Sequence, residues 1–141
     1  MMNKSNTDMK AEVLLWLRKW ERLINSQDFA EARSLFSNDV VSFGTFAELL
    51  TGLDDLEARQ WRKIWPTIVG FTFDEPLVLV SEENPQTATV ISLWHSQGKA
   101  GKDGFYQRRG RATLVLRNQK NGLRCIHSHL SMEPGIPPLH G

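Results

Sequence analysis

Residues 108–131, RRGRATLVLRNQKNGLRCIHSHLS, alternate with a period that suits a β-hairpin and little else. Successive side chains of a strand point to opposite faces. Arg109, Arg111, Thr113, Val115 and Arg117 therefore share one face of the first strand, and Gly110, Ala112, Leu114 and Leu116 share the other. On the second strand Cys125, His127, His129 and Ser131 lie together, opposite Ile126, Ser128 and Leu130. The halves join through Lys120-Asn121-Gly122, where Asn-Gly supplies the positive φ of a tight turn. One face is apolar and has to be covered. The other is rich in groups that need partners.

The preceding residues read as the cover. Val13, Trp16, Leu17, Trp20, Leu23 and Ile24 recur at spacings of three and four, which predicts an amphipathic helix over about Thr7 to Ser26. Asp28 and Glu31 have the spacing of a capping box, opening a short second helix that buries Phe29, Ala32, Leu35 and Phe36. Asp39 to Thr45 predicts a strand ending at Gly44, and Phe46 to Thr51 an irregular connection. Asp54 with Glu57 predicts another cap and a helix closed by Pro66, with Ala58, Trp61, Ile64 and Trp65 on its buried side. Strands follow at Phe71 to Val80, bent at Pro76, and at Thr87 to Ser96, with Trp94 and His95 on opposite faces. Gln97 to Gly104 reads as a glycine- and lysine-rich loop. Helices gathered before a run of strands indicate an α+β fold in which a curved antiparallel or mixed sheet carries three N-terminal helices over its concave side.

A chain of 141 residues fits one domain. Residues 1–8 are expected to fray, and 133–141, with three prolines, to form an extended tail. Seventeen basic against 16 acidic residues leave a net charge of +1, too little to neutralise phosphates, so no nucleic-acid partner is expected. Cys125 is the only cysteine, which excludes an internal disulfide and a cysteine zinc site. With no leader and no apolar run of about 18 residues, the expectation is a cytoplasmic protein without a membrane partner.

Phe43-Gly44-Thr45, Gly52, Trp61, Trp65, Arg109-Gly110-Arg111-Ala112-Thr113 and His127-Ser128-His129-Leu130-Ser131 with Pro134 together resemble small SnoaL-like proteins of the nuclear transport factor 2-like superfamily, which has the ketosteroid isomerase-like fold. The ending is also similar to the association domain of calcium/calmodulin-dependent protein kinase II, with its histidine-x-histidine-x-serine stretch. The likeness spans about Leu14 to Pro138. It implies a cone-shaped barrel with a ligand cavity, a homodimer through the outer sheet face, and either cofactor-free isomerase- or lyase-type acid/base chemistry or a non-catalytic assembly role. That kinase domain has an arginine directly after its second histidine, where this chain has Leu130.

Candidate site residues follow from the polar row and the aromatics. His127, His129 and Arg111 are the catalytic candidates, an imidazole moving a proton while the guanidinium holds an oxyanion. Trp20, Phe43, Trp61, Trp65, Trp94 and Thr113 are the candidates for contacting a small, largely apolar, oxygenated molecule. The same polar row would equally serve packing at the cone base or across a dimer. Two histidines without a third ligand make a poor metal set, so no metal and no cofactor is expected.

Overall fold

In the computed structural model, which describes residues 6–135, the apolar stripe of the first segment becomes the buried side of helix α1 (Asn6–Ser26). All six of its expected core residues are buried, as is Met9. The chain turns at Gln27 (φ 57°) into α2 (Phe29–Arg33), whose first turn is capped by Asp28 accepting from the Glu31 amide at 3.1 Å. Half of the expected capping box forms. The Glu31 carboxylate reaches Lys19 instead of returning to the cap.

Six strands make one mixed sheet in the order β2-β1-β6-β5-β4-β3. They are β1 (Phe36–Phe43), β2 (Leu50–Thr51), β3 (Ile68–Val80), β4 (Thr87–Lys99), β5 (Phe105–Gln119) and β6 (Gly122–Met132). Among the described residues only β1 and β6 pair in parallel. Phe36 opens β1 rather than closing α2, because its ring is drawn into the core between Trp20 and Trp61. The connection expected to be irregular carries the short strand β2, and β4 takes the first three residues of the expected loop at 97–104, the remainder forming a connection with a 3-10 turn (Gly101–Asp103) before β5.

Between β2 and β3 the expected single helix is broken into α3 (Leu53–Leu56), a π turn (Glu57–Trp61), α4 (Arg62–Ile64) and a 3-10 turn (Trp65–Thr67). The expected cap is absent. Gly52, at φ 90°, begins the helix, while Asp54 and Glu57 both bind Arg33, so the cross-element ion pairs win over the local box. The π turn inserts a residue and rotates the buried stripe, leaving Ala58 exposed and bringing Gln60 inside.

Irregularities along β3 and β6 shape the site. Along β3 the register shifts around Gly70 (φ 66°), and the freed amide and carbonyl of Phe71 are met by Asn25 of α1 at 2.8 and 3.0 Å. That covers part of an exposed sheet edge. A second shift comes at the expected Pro76 bend, where Glu75 adopts φ 45°. On β6, Val115 pairs with His127 and Leu116 with Cys125, so Ile126 has no opposite residue. This bulge reverses the parity of everything after it. Cys125 is wholly buried, yet His127 and His129 point the other way, and Ser128 and Leu130 take the inner face. The expectation that Cys125 shares a face with both histidines is corrected accordingly. No helix among the described residues is long and apolar enough to cross a membrane.

Candidate functional site

The inner face of the sheet and the helices surround an aromatic core that holds a small cavity, about 40 Å³ in volume. Trp20 reaches it from α1, where it packs edge-on against Phe36 at 5.1 Å. Trp61 and Trp65 stack on one another at 4.8 Å, and Phe29 stacks on the far side of Trp65 at 5.2 Å. Trp94, 1 % exposed, stacks on Phe71 at 5.3 Å and donates its indole N–H to the Arg111 carbonyl at 3.2 Å. Trp20, Trp61, Trp65 and Trp94 thus line the cavity. Phe43 stands at its rim, with its ring turned outward and 42 % exposed.

One end of the cavity is polar. Gln60, carried inward by the π turn, accepts from the Phe46 and Ala47 amides through Oε1 and donates to Thr45 Oγ1 at 3.1 Å. Its side chain passes so close to Gly44 that no β-carbon fits there, which explains a glycine at this bend. Ser42 and Ser128 share a hydrogen bond of 2.6 Å across β1 and β6. Arg108 completes the group. It is 7 % exposed, and its guanidinium lies over the Trp94 ring at 5.4 Å. It donates at 3.3 Å to Ser96 Oγ and at 3.4 Å to Thr45 Oγ1, with the Met132 sulfur at 3.7 Å. Burial pushes its pKa below the ordinary arginine value, with the nearby Tyr106 acting weakly in the other direction.

Arg111, Thr113, His127 and His129 do not line this cavity. They stand on the outer face, where Thr113 pairs with His129, and Arg111 with Ser131. His127 Nδ1 donates to the Val41 carbonyl at 2.7 Å, and Phe43 packs edge-on against both imidazoles, at 6.0 and 5.0 Å. Farther along that face His95 bonds Asp74 at 2.8 Å, and Leu77, Leu93 and Ile91 are exposed between.

Arg108 and Gln60 were the residues that sequence reasoning missed. Arg108 carried a readable signal, since it has the parity of Gly110, Ala112, Leu114 and Leu116 and is the one charge on an apolar face. Gln60 carried none, because its inward turn depends on the π insertion.

Residues 13–134 match the model of the SnoaL-like domain family. Among solved structures the chain is similar to a nuclear transport factor 2 (NTF2-like) superfamily protein from Salmonella enterica, with a TM-score of 0.79 at 17 % identity over 96 % of this chain and 97 % of that one. It is also similar to an NTF2-like protein from Pseudomonas putida, with 0.74 at 18 % over 90 % and 88 %. A third likeness is to the association domain of C. elegans CaMKII, with 0.71 at 17 % over 92 % and 99 %. Identities this low speak for the fold alone. No curated protein sequence matches the chain.

Proposed function

Because the chain belongs to the SnoaL-like domain family, whose fold here closes an aromatic cone over one polar end, we propose that it is a small-molecule-binding domain. Its ligand is compact, largely apolar and oxygenated, and it sits in the cone with the aromatic rings around its body and its oxygen toward Arg108 and Thr45. The observation that carries this is the cavity itself, where four tryptophans meet a buried guanidinium. At about 40 Å³ the cavity is smaller than a typical ligand pocket, but it has the same pattern of an apolar wall with a few convergent polar groups. Binding is favoured over proton transfer in the cone, because no Asp, Glu, His, Lys, Cys or Tyr is among the described residues lining it.

A second reading, self-assembly, rests on the outer face. Leu77 and Leu93 are each 62 % exposed and Leu79 is 53 % exposed, beside Ile91 on the neighbouring strand. Together they form an apolar sheet surface of the kind that marks an interface. A homodimer packed there would bury His127, His129, Arg111 and Thr113 between subunits, giving that polar row a structural role. The two readings are compatible, since the cavity and the outer face lie on opposite sides of one sheet.

The test is saturation-transfer NMR with cyclohexanone as probe, on the unaltered protein and on Leu130→Phe, which enlarges a cavity-lining side chain. Transfer that disappears in a folded Leu130→Phe protein supports binding in the cone. Equal transfer in both, or none in either, removes the proposal.

A further inference from the structure

We propose that the molecule bound in the cone is a small monocarboxylate, its carboxylate held by Arg108; the inference rests on the cone being the binding site. A guanidinium offers five N–H donors and accepts nothing. Buried cations are normally paired, because an unpaired one loses its hydration without compensation. Arg108 has no carboxylate partner among the described residues, and no acidic side chain lines the cavity. Its partners are two hydroxyls, a sulfur and a ring, and both hydroxyl bonds are long.

The neighbouring groups do not make up the deficit. Thr45 Oγ1 accepts from Gln60 as well as from Arg108. The Gln60 carbonyl oxygen is already held by two amides. Trp20, also on the cavity wall, has an indole N–H that is buried without an acceptor. The polar end therefore carries a single positive charge whose donors are only weakly met. What it lacks is one anionic acceptor. Its 40 Å³ corresponds to about three water-sized positions, the scale of a carboxylate head group. One cation matches a monoanion and leaves a dianion such as phosphate half neutralised.

The experiment is a tryptophan-fluorescence titration at constant ionic strength with sodium butyrate, butyramide and sodium phosphate, on the unaltered protein and on Arg108→Gln. The expected result is saturable binding of butyrate about tenfold or more tighter than butyramide, the difference carried by a charged hydrogen bond. In Arg108→Gln that preference should vanish. Should the variant not fold, the acid-against-amide comparison on the unaltered protein decides alone. Equal affinity for butyramide, or for phosphate, overturns the inference. If all three are silent while cyclohexanone still binds, the carboxylate assignment falls and the cone site stands; if cyclohexanone is silent too, both fall.

Discussion

Replacing Arg108 by methionine should stabilise the protein. Arg108 is 7 % exposed as a residue, without a counter-charge among the described residues, and its folded state gains two hydroxyl bonds at 3.3 and 3.4 Å and a contact with the Trp94 ring at 5.4 Å. Bonds that long fall short of an ordinary charged hydrogen bond, so together they contribute about 1 kcal/mol, and the ring about as much again. Against this stands a desolvation cost of several kcal/mol for a buried ion, which a methionine of similar length does not incur. The difference favours the variant by about 1–2 kcal/mol, equivalent to about 3–6 °C in Tm for a chain of this length. Differential scanning calorimetry of Arg108→Met beside the unaltered protein, without added carboxylate, measures it. Added butyrate should raise the Tm of the unaltered protein and not that of the variant, since a ligand stabilises only what binds it. A fall in Tm of more than about 3 °C for Arg108→Met would refute the reasoning, because the cation would then be a net structural contributor, held for stability and not for a ligand.

Four further outcomes are expected. Gly110→Ala should cost about 2–3 kcal/mol in denaturant unfolding, since its β-carbon would strike the Ser131 carbonyl and the Trp94 ring, and the backbone atom cannot move aside cheaply. If the chain assembles through the outer face as proposed, Leu93→Asp should lower the mass measured by analytical ultracentrifugation to that of a monomer while leaving the far-ultraviolet circular dichroism unchanged; a monomeric mass for the unaltered protein, or an unshifted mass in the variant, would count against that assembly. Burial pushes the Glu57 carboxyl up, yet hydrogen bonds from Arg33 and Arg62 outweigh it and hold the pKa below the ordinary value, so this group's contribution is present above that value and lost as pH falls through the acid range. Glu57→Gln should therefore flatten the loss of stability on acidification. The Cys125 thiol, wholly buried and raised by desolvation far above the ordinary range, should resist iodoacetamide in the native protein and react only on unfolding.

The α+β architecture was legible because its signals are periodic. The α1 stripe, the alternation of β5 and the Asn-Gly turn each specify one element from a short stretch of chain, and Gly122 indeed has φ 113°. What failed were competitions between local and distant partners. Asp54 and Glu57 have capping-box spacing, but Arg33, remote in sequence, takes both. The site was half legible for the same reason. Aromatic residues at helical spacing announce a core, and four of the tryptophans do line the cavity. The facing of the histidines turned on one unpaired residue, Ile126, and a single bulge reverses every side chain beyond it. Nothing in a strand's own alternation reveals such a bulge, because it is set by pairing with β5.

The most direct test of the central claim is a crystal structure of the protein grown with sodium butyrate. The account predicts density for the carboxylate inside the cone, its oxygens about 3 Å from the Arg108 guanidinium, with the wall of Trp20, Trp61, Trp65 and Trp94 displaced to admit the four-carbon chain. A cone closed over by its own side chains, with butyrate instead on the outer face at Arg111 and His129, would contradict it.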